Sequence, residues 1–347
     1  MVPAIIRCAS APNNDKHMRV IDIHAHYYPE SYLALLKAHG YPADTIYSNA
    51  KPEDPGESGA RTYKLHDGAF TDLDLRLKAM DSQGVDVHAL SMPPPYVFAR
   101  SGKLLTEIAR TFNDAASAAH RAHPERLVGL ATLPVHDPAA AIEELERAAK
   151  LPGIRGVGLG TRFADRDLSD RAFFPLYERI AALGLPVFIH YAPLTVIGST
   201  DRLTQFHLAN MIGNTTETAI AAAHLIFGGV LDAFPTLEVS LPHSGGVFPI
   251  LIGRFDRGFE VRPECRHLPH PPSHYLRRFT YDTVCHSDAV MEFMIRLAGV
   301  ERIVLGSDYC FDMGYDRPVE ALQAVTALDA RQREKILGGN AARLLGL

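Results

Sequence analysis

The stretch Val20-Ile21-Asp22-Ile23-His24-Ala25-His26 sets two imidazoles two residues apart. On a β-strand that spacing sends both side chains off one face, where they can serve one divalent metal as neighbouring ligands. Two hydrogen-bonded histidines at a strand end would look the same, so the pair needs company. Other apolar runs supply it. Val187-Phe188-Ile189 closes on His190, Pro242 leads into His243-Ser244-Gly245-Gly246, and Leu305-Gly306-Ser307 closes on Asp308. Each residue alone is more often a satisfied buried polar group than a ligand. Three imidazoles and a carboxylate converging at one end of a fold, with His243 beside them, point to a metal site.

Convergence requires a scaffold that brings strand ends together. Short β-branched runs over 19–24, 85–92, 127–133, 154–161, 186–191, 237–242, 279–283 and 302–307 alternate with helical patterns. Those patterns cover 73–83, 103–120, 139–150, 171–183, 216–233, 247–259 and 289–298, with 318–328 and 329–337 after the last strand. Asp137-Pro138 and Ser287-Asp288 supply helix starts, and Gly184 supplies a helix end. Eight β/α pairs predict parallel strands with right-handed crossovers, closed into an α/β (β/α)8 TIM barrel. An open dinucleotide-binding sheet would show GxGxxG after its first strand, and none is present. In a barrel the C-terminal strand ends form the active-site face. Two long segments follow strand ends on that face: 27–71, rich in Pro, Gly and polar residues and containing a candidate strand at 61–65, and 192–214. Long loops of this kind are usually functional. The expected organisation is an N-terminal tail over 1–18 and a barrel over 19–347, with 27–71 as a small lid-like insertion after strand one.

Composition narrows the function classes. The chain has 347 residues, 35 Lys+Arg against 40 Asp+Glu, a net charge of −5, 47% hydrophobic and 22% charged residues. That is a globular composition, with neither the polarity of a disordered chain nor the basic face that nucleic acid requires. Four cysteines (Cys8, Cys265, Cys285, Cys310) without CxxC spacing read as reduced thiols. No signal peptide is expected from the short apolar run and polar residues at the start. The longest apolar stretch, 219–234, is interrupted by His224, two glycines and Asp232, too short and broken to span a bilayer. A cytoplasmic protein with no membrane or nucleic-acid partner is expected.

The residues then reach a known family. The chain resembles the amidohydrolase superfamily, in the branch of 2-amino-3-carboxymuconate-6-semialdehyde decarboxylase and related metal-dependent, non-oxidative decarboxylases. The resemblance runs from Asp22-Ile23-His24-Ala25-His26 to Gly339-Asn340-Ala341. It includes Arg76-Leu77-Lys78-Ala79-Met80-Asp81, Gly129-Leu130-Ala131-Thr132-Leu133-Pro134, Gly228-Gly229-Val230-Leu231-Asp232-Ala233-Phe234-Pro235, His243-Ser244-Gly245-Gly246-Val247-Phe248-Pro249 and Leu305-Gly306-Ser307-Asp308-Tyr309. It implies His24, His26, His190 and Asp308 as metal ligands and His243 as the catalytic histidine. It also matches Arg254, within Gly253-Arg254-Phe255, to an arginine that reaches a substrate carboxylate across a homodimer interface. Two-metal members bridge their ions with a lysine at the end of strand four. The run Ile154-Arg155-Gly156-Val157-Gly158-Leu159-Gly160-Thr161 has none, so one divalent ion is expected. Zinc suits this N/O set, with manganese as the alternative because the ligands are not sulfur-rich.

A carboxy-lyase acting on a small carboxylic acid follows. Protonating the ring carbon that bears the carboxylate makes the ring an electron sink. The metal would act as Lewis acid and template, and His243 would deliver or relay the proton, with Asp308 ionised beside the cation. The sequence departs from the semialdehyde decarboxylase where substrate is concerned. His190 is followed by Tyr191-Ala192 instead of Pro-Trp, the chain has no Trp, and Ser244 stands first in the glycine run. The position of the branch's carboxylate-binding arginine falls on His66 or Asp67, with Arg61 nearby. Hydroxy-aromatic and heteroaromatic acids are therefore expected beside muconate-type acids. Candidate substrate contacts are Arg254, Tyr191, His207, Tyr309 and Arg61, with Phe311 near the last strand end. His88 reads first as a packed strand residue, with support of the metal ligands as the alternative, and Glu217 as a helix-start carboxylate. The same ligands could serve a metal-dependent hydrolase or hydratase acting on a lactone, amide or C=C bond, because fold and site do not settle the reaction.

Overall fold

Eight short parallel strands pair in chain order: β1 (Ile21–His26), β2 (Val87–Ser91), β3 (Leu127–Thr132), β4 (Ile154–Gly160), β5 (Val187–His190), β6 (Val239–Leu241), β7 (Phe279–Asp282) and β8 (Ile303–Val304). The structure is a computed structural model, and it describes residues 18–40, the backbone of 45–47 and 62–64, and 68–92, 102–163, 166–191, 196–198 and 201–347. The last strand meets the first. Ile23 N donates to Leu305 O at 3.0 Å, Asp308 N to His24 O at 2.9 Å, and Ala25 bridges Tyr309 in parallel. The result is the expected (β/α)8 barrel. Regular pairing of β8 is confined to two residues, shorter than the expected 302–307, because the chain beyond Val304 bonds to β1 singly instead of as a ladder.

Helices follow each of the first seven strands: α1 (Leu73–Gln83), α2 (Lys103–Ala122), α3 (Pro138–Ala148), α4 (Phe174–Ala182), α5 (Thr215–Phe227), α6 (Phe248–Val261) and α7 (Asp288–Ala298). Their starts use the side-chain caps visible in the sequence. Asp137 accepts from the backbone of Ala139 and Ala140, and Ser287 accepts from Val290 N. The expected helix over 216–233 breaks at Gly229, which takes φ +71 and starts a separate turn, Val230–Ala233. The helix expected over 171–183 begins as a 3-10 turn, Arg171–Phe173. Between β1 and α1 lie a helix, Glu30–Ala38, and an antiparallel pair, Thr45–Tyr47 with Thr62–Lys64. The pair includes the candidate strand near 61–65. The helix was hidden in a segment read by its Pro and Gly content, and it buries Tyr32 and Leu36, one turn apart. Cys8, Arg61, His66 and Asp67 lie outside the described residues.

Inside the barrel, Ile21, Ile23, Val87, Ala89, Val128 and Leu130 form one buried apolar cluster with Phe188 and Val304. They sit at period-two positions, the spacing of one sheet face. Leu344 and Leu345 of the C-terminal helix Asn340–Leu345 pack against them. Simple alternation from Ile21 and Ile23 would send His24 and His26 to the opposite face. Relative to β2, β1 carries one extra residue between Asp22 and Ala25. This bulge turns His24 inward, so that Ile23 and His24 border the same inner cavity.

Candidate metal centre

The bulged end of β1, the end of β5 and the loop after β8 bring His24, His26, His190 and Asp308 together. One ligand-type atom from each lies within 4.8 Å of all the others. Asp308 Oδ1 is 3.1 Å from His26 Nε2 and 3.3 Å from His24 Nε2. His243 arrives from the end of β6 with Nε2 3.6 Å from Asp308 Oδ2, so it touches the group from the other carboxylate oxygen. Its ring centroid is 5.3 Å from that of His24 and 5.6 Å from that of His190. The sequence expectation that these five strand-end residues share one location holds geometrically.

The backbone there is unusual. His243, Ser244 and Asp308 take φ of +52, +52 and +61, left-handed values that cost non-glycine residues energy and concentrate at functional sites. Asp282, at the end of β7, holds the first two in place. It accepts from His243 N at 3.0 Å and from Ser244 N at 2.8 Å, while Ser244 Oγ donates to the Asp282 carbonyl at 2.9 Å. The same carboxylate lies 2.6 Å from His24 Nδ1. Asp282 was not singled out in the sequence, although an acid closing Phe279-Thr280-Tyr281-Asp282 obeys the same strand-end rule that marks His190.

Other buried groups support β1. Asp22 accepts from His24 N at 2.9 Å and from Ser307 N at 3.1 Å, and Ser307 Oγ donates to its other oxygen. Burial pushes the Asp22 carboxyl up to about 6, against the lowering effect of the Ser307 hydrogen bond. Ser91 Oγ is 3.0 Å from His26 Nδ1. Arg76 is fully buried; its Nη2 donates to the His26 carbonyl, and its Nη1 lies 3.3 Å from His88 Nδ1. His88 is thus buried as expected, but in a polar chain with Arg76 and, at 3.6 Å, Asp22.

A divalent cation fits this donor set. Among the described residues neither ring nitrogen of His190 has a hydrogen-bond partner, although both are shielded from solvent. Such atoms need an explanation, and lone pairs awaiting a cation provide one. Burial holds His190 well below the ordinary histidine range and, helped by the charges of His24 and His243, brings His26 down to about 4, so both are neutral donors. Burial opposes charge on His24 too, but Asp308 and Asp282 outweigh it and push its pKa up to about 10. Asp308 resists the upward pull of burial and stays well below the carboxylate range because His24, His243 and His26 face it.

Beside the cluster lies a cavity of about 680 Å³, bordered by His243, Asp308 and Asn214 and walled by apolar side chains such as Val247, Phe293 and Met313. A small recess next to it is bordered by His190, Tyr191, Asn210 and Phe311. Tyr191 is therefore at the site, with its ring 4.7 Å from that of His190. Tyr309 and His207 do not border either space. Tyr309 packs on Arg76, whose guanidinium carbon is 4.8 Å from its ring centre, and against His88, because the chain reverses its side-chain direction after Asp308. Phe311 borders the recess instead. His207 is exposed with φ +54, and Asn210, three residues later, reaches the site in its place. Arg254 is exposed on α6. Glu217 does more than start α5: its Oε1 accepts from Ile197 N at 2.8 Å.

Comparison with known proteins agrees with this geometry. A family model described as amidohydrolase matches residues 21–347. A 2-amino-3-carboxymuconate-6-semialdehyde decarboxylase from Dictyostelium discoideum is 30% identical over 331 residues, 94% of this chain and 91% of that protein. A gamma-resorcylate decarboxylase from a Polaromonas species is 29% identical over 294 residues, covering 79% of this chain and 87% of its own. Among solved structures, 5-carboxyvanillate decarboxylase from Sphingomonas paucimobilis superposes with a TM-score of 0.82 at 28% identity, over 95% of this chain and 99% of that one. These relatives carry the name decarboxylase, and no helix among the described residues is long and apolar enough to cross a membrane. With a matching family model over nearly its whole length and the barrel to go with it, the chain belongs to the amidohydrolase family.

Proposed function

We propose that the protein is a metal-dependent, non-oxidative decarboxylase of a small hydroxy-aromatic, heteroaromatic or muconate-type carboxylic acid. One observation carries the reading beyond the relatives' names. His243 approaches Asp308 at the carboxylate oxygen that His24 and His26 do not face, keeps Nδ1 without a hydrogen-bond partner among the described residues, and borders the apolar cavity. His24, His26, His190 and Asp308 would hold a single divalent ion, zinc first and manganese as the alternative. When bound, the ion supplies Lewis acidity towards the substrate carboxylate and an adjacent oxygen.

The chain's own residues do the rest. His243 gives a proton to the ring carbon bearing the carboxylate, forming a C–H bond; the C–C bond then breaks, CO2 leaves, and its electron pair restores the ring. Asp308 Oδ2 stabilises the protonated His243 before transfer. Asp282 fixes the His243 backbone, and the apolar wall with Tyr191 excludes water and receives the ring. Arg254, exposed one turn beyond the 72%-exposed Ile250, suits a homodimer in which it meets the mouth of the second copy. Arg61, near in sequence to the position of the branch's carboxylate-binding arginine, is a further candidate carboxylate contact.

The test is CO2 release and product mass with metal-loaded protein on hydroxybenzoates, hydroxypicolinates and muconate-type acids. Loss of CO2 that a chelator abolishes and zinc or manganese restores is the expected result. A product heavier by one water, or a cleaved amide or lactone, would assign the site to hydrolysis instead.

A further inference from the structure

We infer that Asn214 is a specificity-determining residue that takes a neutral ring hydroxyl of the substrate, distant from the carboxylate; this rests on the decarboxylase reading for the identity of the acid. Asn214 ends a π-helical turn, Ala209–Asn214, that leads directly into α5. One extra residue in such a turn redirects side chains, and these turns are frequent at functional sites. The turn packs closely on the loop that carries His243. Val247 N donates to Thr215 O at 3.2 Å, and a Cβ on Gly246 would come within 2.1 Å of that same oxygen. Asn214 and His243 consequently border one cavity.

Asn214 is only 2% exposed, and its Oδ1 has no hydrogen-bond partner among the described residues. Three other polar side chains around that cavity are committed elsewhere. Thr215 Oγ1 donates to Ile212 O at 2.9 Å, Ser244 Oγ to Asp282 O at 2.9 Å, and Cys285 Sγ to Ser287 O at 3.4 Å. Among the described wall residues, His243 Nδ1 shares the buried, unpartnered condition of Asn214 Oδ1. A buried amide oxygen without a partner is costly in an apolar surrounding, and a ligand that supplies a donor recovers that cost.

The amide chemistry selects the ligand group. An asparagine side chain offers two donors and an acceptor. A carboxylate can only accept, so it would leave Oδ1 unpaired. A phenolic hydroxyl donates to Oδ1 and can accept from Nδ2 as well. Asn210, one turn earlier and also bordering the cavity, adds a second amide on the same side. The substrate class that fits is an aromatic acid carrying a hydroxyl in addition to any oxygen next to the carboxylate.

Titration calorimetry on the zinc-loaded protein tests this without turnover, using 2-hydroxybenzoate and the dihydroxybenzoates with the second hydroxyl at each remaining ring position. At least one dihydroxybenzoate is expected to bind about ten- to a hundredfold more tightly than 2-hydroxybenzoate. Asn214→Leu should reduce that ratio to within about threefold. Asn214→Asp keeps an acceptor oxygen and should retain the ratio even if its charge weakens both acids. Variants are compared at metal content equal to that of the parent protein. A parent protein without the preference, or an Asn214→Leu variant that keeps it, overturns the assignment. A preference that follows Asn214 in a protein releasing no CO2 would instead sink the decarboxylase reading and leave the amide site standing.

Discussion

His24 and His26 on β1 are held from behind, whereas His190 on β5 is not. His24 Nδ1 meets Asp282 at 2.6 Å, His26 Nδ1 meets Ser91 at 3.0 Å, and the His26 carbonyl accepts from buried Arg76. Among the described residues His190 has ring neighbours and no hydrogen bond: His26 at 4.7 Å, His24 at 5.0 Å, Tyr191 at 4.7 Å and His243 at 5.6 Å between centroids. Outer partners fix the tautomer and orientation of ligand histidines. The β1 side is thus set before any ion or substrate arrives, and the β5 side is positioned by its strand alone. The amides Asn210 and Asn214 follow β5, so the less constrained half of the mouth is also the half whose amides border the cavity.

The largest break in this arrangement is expected at Asp308, whose two oxygens face the β1 pair and His243 separately. Asp308→Ala should lose metal and nearly all activity, while His243→Ala should keep its metal and lose about 100- to 10,000-fold in turnover. Metal analysis alongside CO2 release checks both, and equal metal loss in the two variants would make His243 a ligand. Next comes Asp282→Asn, which disturbs His24 and the His243 backbone together. It should cost about 10- to 100-fold in metal affinity or turnover, measured by metal competition and steady-state kinetics; a variant that keeps both at the parent level would refute the bracing of the β1 side.

Arg76→Met sharpens the same contrast through stability. It leaves the buried His26 carbonyl and His88 Nδ1 without their donor, an expected loss of about 1–3 kcal/mol in denaturant unfolding. Ser91→Ala removes only one contact to His26 and should weaken metal binding by about tenfold or less in the same competition assay. The smallest effect belongs to Glu217, on the pocket side. Burial raises its pKa in the folded protein, so its contribution is most favourable at low pH and declines as pH rises through the carboxylate range. Glu217→Gln keeps an acceptor for Ile197 N but does not ionise. Its stability relative to the parent should therefore rise slightly between about pH 4 and 7, read from thermal midpoints; an unchanged difference would remove the ionisation argument.

Much of the barrel could be read from the alternation of runs, because each strand and each amphipathic helix is a local pattern. Asp137 and Ser287 mark their helices for the same reason: a cap bonds within three residues. The π-turn Ala209–Asn214 and the helix Glu30–Ala38 escaped, since each owes its form to packing within a long connection, and His207 was chosen where Asn210 and Asn214 reach the cavity. Asp282 was missed because its importance lies in what it touches: His24 is 258 residues away in the chain.

The sequence by itself determined the residue types at the strand ends, and with them the kind of chemistry, because an apolar run closed by a histidine or aspartate places that side chain at a barrel mouth wherever the strands close. Only the tertiary structure decided which nitrogen is braced and which is left unpaired. It also decided that a bulge, not simple alternation, turns His24 inward, and that Tyr309 belongs to Arg76 instead of the pocket. Those outcomes depend on hydrogen bonds and packing between segments hundreds of residues apart, which no local pattern encodes.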